Sequence, residues 1–75
     1  MELNDFILKF AEQFDETELS EFKANTIFQE LEEWSSLTAM GIIAFVKTEY
    51  GKVITGKEIR SCHTIEDLFN LVASK

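Results

Sequence analysis

The sequence predicts an all-α domain: a small four-helix bundle of three longer helices and one short helix, with a long loop between the first and second. Three observations carry that expectation. Apolar residues recur at three- and four-residue steps near both ends of the chain. Two Thr-x-x-acid sequences mark helix starts in the second half. A fourteen-residue apolar-rich run in the middle, Leu37 to Tyr50, contains no turn dipeptide.

The first helix is expected over residues 4–14. Leu3, Phe6, Ile7, Phe10 and Phe14 make one apolar stripe, with Lys9, Glu12 and Gln13 between them. From Asp15 to Glu33 the apolar residues Leu19, Phe22, Ile27, Phe28 and Leu31 are irregularly spaced among acids and hydroxyls. This reads as a long connection pinned down by Phe and Leu, with room for a helical turn. The central run is apolar around most of its circumference, so it is expected as a central helix covered on several sides. Thr55-Gly56-Lys57-Glu58 and Thr64-Ile65-Glu66-Asp67 fit the capping box, in which the hydroxyl takes a backbone N–H three residues on and the acid returns the bond. Ile54 and Ile59 add a hydrophobic staple to the first box. That helix must be short, because the second box follows at Thr64. Ile65, Leu68, Phe69, Leu71 and Val72 then mark the closing helix. Residues 1–75 form one domain.

The size and charge of the chain narrow its function. A chain of 75 residues buries only about 60% of its unfolded surface, too little to wall a deep catalytic cleft. Fourteen acids against seven bases, a net charge of −7, repel a phosphate backbone and make nucleic acid a poor partner. The charge is lopsided, since ten of the acids but only Lys9 and Lys23 among the bases lie in residues 1–33. A lone cysteine, Cys62, forms no internal disulfide, which is in keeping with a reducing cytoplasm. The opening Met1-Glu2-Leu3-Asn4-Asp5 lacks the basic region of a secretory signal. The longest apolar stretch, Ala39 to Val46, falls well short of the ~20 residues of a membrane span.

Few residues carry recognisable chemistry. Gly51 to Lys57 spells G-x-x-x-x-G-K, but Glu58 stands where a phosphate loop has Ser or Thr, and no strand precedes it. Cys62 and His63 are sequence neighbours without a second histidine, a poor nucleophile and base; a core cysteine beside an exposed histidine is the simpler reading. One Cys and one His complete no zinc tetrad, and Glu30, Glu32 and Glu33 offer a divalent ion weak contact at most. No pair among the acids is marked for acid–base work. Trp34-Ser35-Ser36-Leu37-Thr38 remains, between the acidic loop and the central helix. On local spacing Ser36 is an N-cap accepting the backbone N–H of Thr38 or Ala39. The functional alternative is a hydroxyl bearing a covalently attached phosphodiester, stabilised by the positive end of the helix.

At these residues the sequence resembles the acyl carrier protein family, the phosphopantetheine-attachment domains, over nearly its whole length. Ser35-Ser36-Leu37 occupies the place of the family's Asp-Ser-Leu at the start of the second helix, preceded by Trp34. Leu31, Val46, Tyr50, Ile54, Thr64-Ile65, Leu68 and Val72 match as well. The resemblance implies that Ser36 is the attachment point for 4′-phosphopantetheine, transferred from coenzyme A by a magnesium-dependent phosphopantetheinyl transferase. The arm's thiol would hold acyl groups as thioesters and present them to acyl-transferring or acyl-ligating enzymes of fatty-acid-like or polyketide-like synthesis. The carrier itself is expected to be a monomer and no enzyme. Leu37 sets the register that favours Ser36 over Ser35. Ser35 replaces the family's aspartate, and Thr38 and Gly41 stand where fatty-acid-type members carry acids. Docking is accordingly expected at Leu37, Met40, Glu32 and Glu33. Met40, Phe45, Ile54, Ile59 and Cys62 either line a shelter for an acyl chain or form an ordinary packed core. Two competing readings are an aminoacyl or peptidyl carrier and an unmodified helical adaptor with the same fold.

Overall fold

The computed structural model describes all 75 residues as four helices: α1 (Leu3–Ala11), α2 (Ser36–Tyr50), α3 (Gly56–Ser61) and α4 (Ile65–Ala73). There is no sheet; one isolated bridge joins Ile27 to Thr64. The all-α, four-helix architecture is the expected one, with α1 packed on α2 and α4 and α2 packed on α3. No helix is long and apolar enough to cross a membrane.

Both capping boxes form. Thr55 accepts the N–H of Glu58 at 3.1 Å and the Glu58 carboxylate accepts that of Thr55 at 3.0 Å. Thr64 and Asp67 repeat the exchange at 3.0 Å in each direction. The hydrogen bond from the Thr64 backbone, then that from His63, holds the Asp67 carboxyl below its ordinary range. Ile54 and Ile59, the staple pair, are both buried. Lys75 forms an ion pair with Glu58 at 2.8 Å, tying the end of the chain to α3.

Two expectations change and a third is refined. The first helix stops at Ala11, because Gln13 and Phe14 donate to carbonyls three residues back and tighten the chain into a 3₁₀ turn; Phe14 still reaches the core. The long connection folds into two single 3₁₀ turns, Leu19–Glu21 and Phe28–Glu30, and buries Phe22 and Phe28 but leaves Leu19 and Ile27 exposed. The central helix is covered by α1 and α3, as expected, but its start is left open. Ile42, Phe45 and Val46 are buried, whereas Leu37 and Met40 in its first turns are 77% and 64% exposed. The other five elements are short; they enclose the C-terminal half of α2 and run out of surface before its start.

The core is aromatic. Phe10 of α1 lies within 5.5 to 6.4 Å, centroid to centroid, of Phe6, Phe14, Phe22 and Phe28, joining both loop phenylalanines to the first helix. Phe6 continues the cluster to Phe45 of α2 and Phe69 of α4. On the surface, Lys9 pairs with Glu49 at 3.3 Å and lies over the Tyr50 ring, linking α1 to the end of α2.

Helix α2 ends at Gly51, whose φ of 65° and ψ of 22° are left-handed, and whose N–H donates to Lys47. A β-carbon there would touch nothing within 4 Å, so a side chain would meet conformational strain alone. Gly51→Ala is expected to lower the unfolding free energy by about 1 kcal/mol, read from urea denaturation, with the helical circular dichroism unchanged.

Candidate functional site

The start of α2 is built by the residues before it. Trp34 packs edge-on against Phe28 at 4.9 Å and lies 6.4 Å from Phe14, so the aromatic core fixes the chain just before the helix. Ser35 follows in extended conformation, and its Oγ accepts the Thr38 N–H at 3.3 Å. The Thr38 hydroxyl donates to the Glu33 carbonyl at 2.9 Å, locking the entry from the other side.

The N-cap is therefore Ser35, not Ser36. Ser36 is the first helical residue, exposed, and its hydroxyl makes no hydrogen bond within the protein. The offset is one residue because Ser35, with φ of −155°, is the last extended residue of the loop, while Ser36 already has helical geometry. The two serines thus divide the labour: one holds the helix and the other is free to react. Ser36 and Leu37 also keep their backbone N–H groups unpaired, as the first turn of a helix must unless something outside it accepts them.

Beside Ser36 opens a cleft of about 320 Å³ between α2 and α3. Trp34, Ala39, Met40, Ile43 and Ile59 supply its apolar wall, and Arg60 its charge. Gln29 holds the α3 side in place: its amide nitrogen is 3.2, 3.3 and 2.9 Å from the carbonyl oxygens of Ile59, Arg60 and Cys62. Arg60 lies close to Gly56 and takes part in no ion pair. Of the five possible lining residues, Met40 and Ile59 border this cleft, Met40 as an exposed side chain; Phe45, Ile54 and Cys62 lie in the packed core.

Glu32 is exposed. Glu33 is otherwise engaged. Its carboxylate accepts the N–H groups of Asp15 and Glu16 at 2.9 Å and that of Thr17 at 2.6 Å, together with the Thr17 hydroxyl. It closes the far end of α1 onto the approach to α2, a role for which the sequence offers only the weak signal of an acid opposite a short polar turn. The Thr17 hydroxyl, and after it the three N–H groups, hold the Glu33 carboxyl below its ordinary range.

The other candidate chemistries do not assemble. Gly51 to Lys57 follows a helix rather than a strand. Cys62 is buried and His63 exposed, and burial pushes the Cys62 thiol pKa upward, away from the reactive thiolate. No group of three His, Cys, Asp or Glu side chains is arranged to hold a metal ion.

No protein-family model matches the chain, and no curated protein or solved structure matches it.

Two predictions follow from this geometry. Ser35→Ala should destabilise the fold by about 0.5–1 kcal/mol through loss of the cap, whereas Ser36→Ala should leave the urea midpoint essentially unchanged. Glu33 has a folded pKa below its ordinary 4.5, so its stabilisation is complete above that pH and is lost as pH falls through the folded value. Glu33→Gln should therefore be less stable than the parent at pH 7, and the difference should shrink progressively below pH 4.5 in a pH series of denaturation midpoints.

Proposed function

We propose that this chain is an acyl carrier protein of the cytoplasm, bearing 4′-phosphopantetheine on Ser36 and delivering acyl groups to partner enzymes. The observation that carries the reading is the uncommitted Ser36 hydroxyl in the first turn of α2, at the mouth of the α2–α3 cleft, with Ser35 supplying the cap. The family likeness of the surrounding residues supports it.

The residues present fit such a group. An exposed serine oxygen offers the point of attachment. The free N–H groups of Ser36 and Leu37 and the positive end of α2 favour a phosphodiester there, and Arg60 lines the same cleft as a cation without an internal partner. Trp34, Met40, Ile43 and Ile59 give apolar surface to an arm or its cargo. The replacement of the family's aspartate by Ser35 preserves the capping function, since serine and aspartate cap about equally well.

When bound, the arm supplies a terminal thiol that carries acyl groups as thioesters. The protein's own residues hold and present it. In the loading reaction the Ser36 oxygen would form the new bond to phosphorus as the phosphoanhydride bond of coenzyme A breaks and adenosine 3′,5′-bisphosphate leaves, and the hydroxyl would give up its proton. That proton must pass to a base of the transferase, because no side chain of this chain hydrogen-bonds the hydroxyl. Thereafter the carrier raises the effective concentration of its cargo at a docked enzyme by tethering, without catalysing a step.

Docking fits the exposed stripe of α2. Leu37, Met40, Ala44 and Lys47 follow one another at three- and four-residue steps and are all exposed. Glu32 stands free just before the helix. Leu37 and Met40 offer the apolar contact, and the same residues would serve an unmodified adaptor.

Intact mass after incubation with coenzyme A, magnesium and a broad-specificity phosphopantetheinyl transferase separates the two. A phosphopantetheine adduct on the parent and on Ser35→Ala, absent from Ser36→Ala, is the expected result. No adduct on any form with several transferases would favour the adaptor.

A further inference from the structure

The acidic half of the chain carries a second apolar surface, sharing no residue with the Ser36 cleft. Leu8 of α1 and Leu19 of the first 3₁₀ turn are 48% and 59% exposed, and both border two adjoining hollows. One, of about 510 Å³, is walled by Leu3, Ile7, Phe22 and Ala24 together with these two leucines. The other, of about 320 Å³, is walled by the same leucines with Ala11, Glu12 and Thr17. Leu8 and Leu19 thus form a ridge with a hollow on either side.

Glu12 and Lys23 are the charged residues that line the hollows, and the leucines themselves stand next to further acids in a segment, residues 1–33, that holds ten acids and two bases. Asp5 of α1 and Glu12, the residue that ends the helix, lie at i−3 and i+4 from Leu8, and Glu18 precedes Leu19. All three are exposed and none is in an ion pair. The cation of α1, Lys9, forms its ion pair with Glu49 of α2 and interacts only secondarily with Asp5. Lys23, beside the larger hollow, is the other base.

We propose that this surface docks a cationic amphipathic helix of a partner protein, which sets one large apolar side chain in each hollow and aligns Lys or Arg with Asp5, Glu12 and Glu18. A groove with two apolar recesses suits side chains repeated along one helix face, and the acids beside the leucines select the charge of the flank. A second copy of the chain is the wrong occupant. A two-fold contact on this face would set the unpaired acids of one protomer against those of the other. Anionic lipid is opposed by the same field. The proposal does not depend on Ser36 being modified.

The test uses the full-length chain carrying Ser36→Ala, so that attachment plays no part. The probes are two synthetic helical peptides with the same leucine face, one with lysines on the opposite face and one with glutamates. Binding is followed by amide shifts in two-dimensional NMR and by fluorescence anisotropy. The lysine peptide is expected to perturb the amides around Leu8 and Leu19 and to bind the chain, whereas the glutamate peptide does not. Leu8→Gln with Leu19→Gln, both at exposed positions, should weaken the lysine peptide by about tenfold or more while leaving circular dichroism unchanged. Glu12→Lys with Glu18→Lys should weaken it as well and reduce its salt dependence. The proposal is overturned if the lysine peptide perturbs only the Leu37–Met40 face, or if the double glutamine variant binds it as tightly as its parent. It is equally overturned if the glutamate peptide binds as well, or if sedimentation shows a dimer that the glutamine substitutions dissolve.

Discussion

Phe10 is the contact on which the rest of this small domain depends. It belongs to the first helix, yet its ring meets Phe14, Phe22 and Phe28 as well as Phe6, so one side chain joins the helix to the long irregular segment that follows. A 75-residue chain has little apolar surface to spare, and the 24 residues between Ala11 and Ser36 would be costly to order if they buried nothing. Phe22 and Phe28 supply that burial, and each aromatic pairing adds about 0.5–1.5 kcal/mol beyond the buried area.

Once anchored, the segment satisfies helix ends that would otherwise be bare. Carbonyl oxygens of Ala24 and Thr26 accept the N–H groups of Glu66 and Ile65 in the first turn of α4, at 3.0 and 3.1 Å. The Gln29 amide serves the carbonyls at the end of α3. Glu33 fastens the other end of the segment to residues 15–17, and Trp34 packs edge-on against Phe28 just before the Ser35 cap. The position of Ser36 is thus the end of a chain of constraints that begins in the aromatic core. Its hydroxyl is free because every neighbouring structural demand is met by another residue: Ser35 caps, Thr38 pins, and Trp34 packs.

The economy of the core also explains the surfaces. With only short elements available, the bundle closes around Ile42, Phe45 and Val46 and leaves the first two turns of α2 open. The same shortage leaves Leu8 and Leu19 uncovered on α1. The two surfaces differ in charge: the exposed stripe of α2 ends in Lys47 and lies by a cleft containing Arg60, while the α1 ridge is edged by acids. Oppositely charged rims around apolar contacts sort partners by the sign of their flanks.

Local chemistry was readable from the sequence where a few neighbouring residues decide the outcome. The helical class, both capping boxes at Thr55 and Thr64, the short third helix and the order of the four helices all follow from spacing and cap residues, because their partners lie within four positions. The Trp34-Ser35-Ser36-Leu37 signature pointed to the start of α2 for the same reason. Other features depended on partners distant in the chain. Which serine caps is decided by where the loop, held by Phe28, Phe14 and the Thr38–Glu33 bond, delivers its last extended residue. Glu33 became a clamp instead of a free docking acid because folding brings it to residues 15–17. Residue type alone marks Leu37, Met40, Leu8 and Leu19 as apolar, but only the three-dimensional arrangement determines which apolar side chains find a neighbour. The core closed before it reached these four, and that exclusion is a property of volume and surface, which no local pattern contains.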